Sequence, residues 1–256
     1  MSEMIVKRES LQRVADKIKS KAGTTGELVF PEGFEGAVDS ISGGDTTAED
    51  GLVDGTLTEY SNPRVTTIRG RAFYYYTNLT SVDFPSAISI GAGAFDGCTT
   101  LTSVDFPQAK DIGQYAFSGC SNLTSVDFPQ VTEIGQCAFR SCSNLTSVDF
   151  PLVTDIGNEA FSGCSSLTAL ILRSDILCTL KNTSAFTKCY HFLGTVNATY
   201  NPEGLKDGYF YVPSALIDDY KAATNWSTFA TQFRALEDYT VDGTTTGELD
   251  ETKIGA

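Results

Sequence analysis

A chain of 256 residues with a formal net charge of -14 and a sequence pI near 4.4 repels phosphate backbones and anionic lipid, which argues against nucleic acid and membrane surfaces and for neutral or basic partners. Seven cysteines, an odd number at repeat-locked spacings, read as buried reduced thiols rather than a disulfide framework. One histidine, no glycine-rich phosphate loop and no nucleophile beside a base give no catalytic residues, and an enzyme has no foothold beyond carboxylates paired across repeats.

In chain order, residues 1–42 read as a helical hairpin for docking or oligomerisation. Leu11, Val14 and Ile18 share one helical face before Gly23, and Pro31 opens a shorter helix bearing Phe34, Val38 and Ile41. Lys7, Arg8, Arg13 and Asp16 interrupt any secretory core, no stretch reaches the roughly 18–20 apolar residues of a spanning helix, and Thr252–Ala256 carries no hydrophobic anchor. No membrane insertion is expected, and the product is expected to be soluble in the cytoplasm where it is made. Residues 43–55, rich in Gly, Asp and Thr, read as a linker.

Residues 56–190 repeat with a period of 22, in about six coils. Phe73, Phe95, Phe117, Phe139 and Phe161 keep that spacing, as do Leu57, Leu79, Leu101, Leu123, Leu145 and Leu167. A fixed period in this range predicts a solenoid. Within a repeat, Leu101-Thr-Ser-Val104-Asp-Phe106 alternates as a half-buried strand, with Val104 and Phe106 inward and Ser103 and Asp105 outward. Pro107 ends the strand, Ile112-Gly113 predicts a second short extended segment at a corner, and Tyr115–Cys120 predicts a turn with Ala116, Phe117 and Cys120 inside. A single coil buries too little to offset its own ordering entropy, so neighbours and caps must supply the stability.

The caps are visible too. Asn62 stands where later coils have an inward Phe, as a terminal coil facing water should. Residues 191–240 read as a helical cap: Pro213 opens a helix with Leu216, Ile217 and Tyr220 on one side, and Asn225 caps a second helix with Trp226, Phe229, Phe233 and Leu236 as its apolar stripe. Residues 241–256 read as a flexible tail.

The string Ala-Phe-x-x-Cys-x-x-Leu-x-x-Val-x-Phe-Pro followed by Val-Thr-x-Ile-Gly, as in Ala116 to Gly135, resembles the BspA-like, treponemal class of leucine-rich repeats over about half the chain. The resemblance implies a β-rich leucine-rich-repeat solenoid with a parallel sheet on the concave face, here with a small N-terminal helical hairpin and a C-terminal α-helical cap. It also implies a role in adhesion or protein binding, without a usual catalytic motif. Arg13 to Phe34 looks like the opening module of many phage and prophage virion proteins, and Tyr211 to Ser227 is similar to the cap that closes leucine-rich-repeat proteins of gut Firmicutes and their phages. These resemblances imply a tail-associated virion protein for host-surface recognition. In it the N-terminal module would bind other virion proteins and form a homo-oligomer, and the solenoid would bind a host-surface protein or glycan. A bacterial cell-surface adhesin or interaction scaffold is the alternative.

Candidate ligand-binding residues follow from the repeat. Asp83, Asp105, Asp127 and Asp149 occupy one outward strand position, so carboxylates stack at about 4.8 Å, where each adjacent pair costs about 0.8 kcal/mol in a water-like dielectric. The row reads as a cation or basic-ligand track, with Ca2+ as the cation that oxygen ligands suit, or, with Ser81, Ser103, Ser125 and Ser147, as a surface for sugars. It also reads as a solvated face that duplication copies regardless of use. Tyr74 and Tyr75 read as exposed, Tyr76 as inward; the exposed pair stacks on sugars, anchors a protein contact, or packs beneath the N-terminal segments. Cys98, Cys120, Cys142 and Cys164 form an inward row. Cys178, Cys189 and His191 have no zinc-site spacing, so no metal centre and no other cofactor is expected.

Overall fold

The computed structural model describes residues 47–48, 58–194 and 206–238. The helical hairpin expected over 1–42 and the tail expected over 241–256 lie outside the described residues.

Two ladders of parallel strands, numbered in chain order, wind around one apolar core. The unbroken ladder consists of two-residue strands: β1 (Thr47–Ala48), β3 (Thr67–Ile68), β5 (Ser89–Ile90), β7 (Asp111–Ile112), β9 (Glu133–Ile134), β11 (Asp155–Ile156) and β13 (Thr179–Leu180). β1 falls in the stretch read as a linker, and its backbone pairs with Thr67–Ile68; the rest of that stretch lies outside the described residues. The second side is built in pieces. β2 (Glu59–Ser61) pairs with β4 (Ser81–Asp83), and β6 (Ser103–Asp105) pairs with β8 (Ser125–Asp127). β10 (Ser147–Phe150), β12 (Ala169–Leu172), β14 (Tyr209–Val212) and β15 (Phe233–Ala235) form the third piece.

The period of 22 becomes stacking in space. Phe73, Phe95, Phe117, Phe139, Phe161 and Phe186 stand over one another with near-parallel rings 5.1–5.8 Å apart. Phe84, Phe106, Phe128 and Phe150 form a second column at 5.7–6.4 Å, and all ten rings are buried. The longer step to Phe186 therefore lengthens the loop without leaving the column. In the turns, each Phe N–H donates to the alanine carbonyl of the next coil, as Phe95 to Ala116 at 2.7 Å and Phe117 to Ala138 at 2.8 Å. Each inward cysteine reaches back: the thiols of Cys98, Cys120, Cys142, Cys164 and Cys189 donate to the carbonyls of Phe73, Phe95, Phe117, Phe139 and Phe161 at 3.0–3.2 Å. All seven cysteines are free and buried.

The glycine after each isoleucine marks the closest approach of two coils. A Cβ on Gly113 would lie 2.7 Å from the Ile90 carbonyl oxygen, and one on Gly135 would lie 2.6 Å from that of Ile112. At the front, Asn62 is half-buried and its side-chain oxygen accepts the Arg64 N–H at 3.2 Å, a polar closure where later coils have phenylalanine.

The rear closure is mixed rather than helical throughout. α1 (Tyr190–Leu193) is one turn, and after Pro213 a 3-10 turn leads into α2 (Ile217–Ala222), which buries Tyr220. The expected second helix is instead a run of 3-10 turns over Trp226–Gln232, followed by β15. Residues 226, 229 and 233 still point inward, but the open edge of β14 offers backbone partners that a free helix would forgo, and β15 takes them. Nor does Asn225 cap a helix: at φ 67° its side-chain amide donates to the Leu180 and Lys181 carbonyls at 2.7 and 3.2 Å. Trp226 Nε1 donates to the Cys178 carbonyl at 2.7 Å, and Tyr220 Oη accepts the Cys178 N–H at 3.0 Å, so the closure grips the last regular coil by its backbone.

Candidate functional site

On the strands of the second side, alternation points Val104, Phe106 and their equivalents inward and leaves the serines and aspartates outside. Register sets Asp105 directly beside Asp127 and Ser103 beside Ser125. The row ends in partners at both extremes. Ser61 Oγ donates to Asp83 Oδ2 at 2.9 Å, and Arg173 grips Asp149 through Nε at 2.9 Å and Nη2 at 2.6 Å. Between them, Asp105 and Asp127 make no side-chain hydrogen bond or ion pair with the described residues. Partial burial, followed by the charges of Asp105 and Asp149, raises the Asp127 carboxyl above the usual carboxylate range.

A second acidic row lies on the unbroken ladder, and the sequence reading passed over it. Asp111, Glu133 and Asp155 sit side by side on β7, β9 and β11. Ser89 Oγ donates to Asp111 Oδ1 at 2.9 Å at one end, and Lys181 Nζ lies 2.9 Å from Asp155 Oδ1 at the other. That hydrogen bond and charge raise the Lys181 ammonium pKa. A shallow depression of about 400 Å³ runs along this row, lined by its three carboxylates together with Gln114, Gln136 and Lys181. The signal was present as an acid preceding Ile-Gly in three successive repeats, but the residues are not identical as Asp83, Asp105, Asp127 and Asp149 are. Both rows share one construction: a hydroxyl closes the front and a cation closes the rear.

Tyr74 and Tyr75 are 44% and 61% exposed, and Tyr76 is half-buried with its ring edge-on to Phe73 at 5.7 Å. The two exposed rings belong to the turn column, not to the strands that carry the serines and aspartates, so the ten candidate residues fall into two groups. Cys178 lies under Tyr220 and Trp226, Cys189 continues the thiol row, and His191 Nδ1 pairs with Asp207 Oδ1 at 2.6 Å. Among the described residues no group of three or more His, Cys, Asp or Glu side chains could hold a metal ion. No described helix is long and apolar enough to cross a membrane.

A leucine-rich repeat protein from Bacteroides ovatus is similar to this chain at 27% identity and a TM-score of 0.53, over 70% of this chain and 42% of the other. One from Eubacterium ventriosum shares the fold at 24% identity and a TM-score of 0.50, over 66% and 45%. The chain thus spans less than half the length of either. No curated protein matches it. The family model for the BspA type leucine rich repeat region matches six copies across residues 66–212, more than half of the chain. With coils of that class stacked in register across the same residues, the chain belongs to the BspA type leucine-rich-repeat family.

Proposed function

We propose that the chain is a non-catalytic attachment module that recognises a partner on a biological surface through Ser81, Asp83, Ser103, Asp105, Ser125, Asp127, Ser147 and Asp149. The observation that carries this reading is the pattern of neutralisation along the row. Asp83 and Asp149 are partnered from within, whereas Asp105 and Asp127 face water beside each other without a counter-charge among the described residues. Adjacent like charges on neighbouring strands destabilise. An external basic group offsets them, as does Ca2+ shared between a carboxylate and a hydroxyl-bearing ligand.

Within this reading the setting is the tail of a virion, where the module attaches to a host-surface protein or glycan. Its support is the resemblance of Arg13 to Phe34 and of Tyr211 to Ser227 to segments of phage proteins. Residues 1–42 then hold the module to other virion proteins and to its own copies. A bacterial cell-surface adhesin or interaction scaffold is the second reading, favoured by the adhesive role that this class of repeat implies.

Labelled protein applied to intact cells of a candidate host tests the site. The Asp105→Asn/Asp127→Asn variant should bind about tenfold more weakly, with the loss shrinking at high salt. Equal binding by the variant removes the row from the site. Sedimentation of induced particles tests the setting: recovery with the particles supports the virion reading, and recovery in the cell envelope supports the adhesin.

A further inference from the structure

We propose that Arg71, Tyr74, Tyr75 and Asp96 form a platform for a neutral saccharide on the turn column, a site separate from the acidic rows. Each coil bends through a left-handed residue at the end of its turn. That residue is Gly97, Gly119 and Gly163 in three coils, Ser141 and Lys188 in two others, and in the first it is Tyr75, at φ 59°. Glycine takes this conformation without steric penalty, so a tyrosine here is not a requirement of the bend.

The geometry holds the ring in place. A Cβ on Gly97 would lie 3.0–3.2 Å from Tyr75 Cγ, Cδ1 and Cδ2, so it is the bareness of that glycine that lets the ring lie down on the next coil. The Tyr74 ring meets Tyr75 edge-on at 4.6 Å, and the Arg71 guanidinium stands 5.5 Å from the Tyr74 ring. Two aromatic faces are therefore ordered while exposed to water. At the positions equivalent to Tyr74 and Tyr75 the next two coils carry short side chains, Asp96-Gly97 and Ser118-Gly119, which form a low polar shelf ahead of Arg140 in the coil after. Partial burial raises the Asp96 carboxyl, and its neighbours Ser118 and Arg71 favour the charged form.

A pyranose presents a face of C–H groups and a rim of hydroxyls that both donate and accept. The C–H face suits an aromatic ring. Arg71 supplies donors and Asp96 an acceptor within the same short stretch of surface, which suits the rim. A protein hot spot instead sits within a wide, tightly packed apolar surround, which a shelf of glycine, serine and aspartate does not provide. The net charge of -14 favours a neutral sugar over an anionic one.

The test is a printed array of neutral and N-acetylated hexose oligosaccharides, with protein-coated control spots, probed with the full chain. The wild type should bind at least one saccharide class. Tyr74→Ser/Tyr75→Gly, which installs the Ser118-Gly119 pair of a later coil and so preserves the turn, should bind at least about tenfold more weakly with unchanged far-UV circular dichroism. No retained saccharide, or equal binding by the tyrosine variant, overturns the proposal. Binding confined to the protein-coated spots assigns the tyrosines to a protein partner and overturns it equally.

Discussion

At the level of single residues, the coil is governed by two backbone demands that glycine meets for opposite reasons. Gly135 has ordinary dihedrals but no room, since a Cβ would press to 2.6 Å from the Ile112 carbonyl oxygen. Gly135→Ala should therefore destabilise by about 1–3 kcal/mol, read as a lowered thermal midpoint. Ser141 is the reverse case, with a left-handed φ of 60° where neighbouring coils have glycine. Ser141→Gly should stabilise by about 0.5–1 kcal/mol, and a lowered midpoint would show that its backbone carries no strain. Charge is subject to the same scrutiny at Asp127. Its carboxyl titrates above its usual range in the folded chain, so folding favours the protonated form; that stabilisation is complete below the unfolded pKa and is lost as pH rises through the folded one. Asp127→Asn should accordingly melt higher than the wild type at neutral pH, with the gap closing as pH falls toward 3.8, the ordinary aspartate value. A gap that does not change with pH would mean that its carboxylate feels neither burial nor its neighbours.

Among the elements, the closure at the rear is the part whose loss should be most visible. Trp226 is the chain's one tryptophan, it is buried among Phe186, Phe210 and Phe233, and its indole N–H satisfies the Cys178 carbonyl. Trp226→Phe keeps most of the packing and orphans that carbonyl, which should destabilise by about 1–3 kcal/mol. Trp226→Ala should destabilise by about 3–5 kcal/mol. Chemical denaturation of both variants and the wild type checks the order, and equal losses would mean that the hydrogen bond is inert. This closure was also the least legible part of the sequence. Strand, corner and turn of each regular coil could be read because five copies vote on every position, and strict alternation around Val104 and Phe106 allows one reading. Trp226, Phe229 and Phe233 occur once, and an apolar spacing of three and four fits a helix as well as turns leading into a strand. What decided between them was the open edge of β14, a partner distant in sequence. The second acidic row escaped notice for a related reason: two-residue strands such as Asp111–Ile112 are too short for alternation to show which side chain faces out.

Taken as a whole molecule, the solenoid behaves as a stack in which each coil touches only the coils before and after it, so its length should be adjustable in units of one period. Deleting residues 117–138 joins Ala116 to Phe139 and leaves the local Ala-Phe sequence intact. Phe95 can then stack on Phe139 as it stacks on Phe117, and the thiol of Cys142 can reach the Phe95 carbonyl as that of Cys120 does. The shortened chain should fold, with the same shape of far-UV circular dichroism and a lower thermal midpoint, since one coil and one interface are gone. A deletion of residues 117–127 instead removes half a period and sets strands against turns, so it should leave the chain unfolded. The free thiols give the readout: burial raises the Cys98 thiol pKa to about 12 and those of Cys120, Cys142 and Cys189 well above the usual value, so a thiol reagent should be excluded while the stack is intact. Slow labelling of the full-period deletion together with rapid labelling of the half-period deletion would establish that the 22-residue coil is the unit of folding, and rapid labelling of both would show that the coils depend on contacts beyond their neighbours.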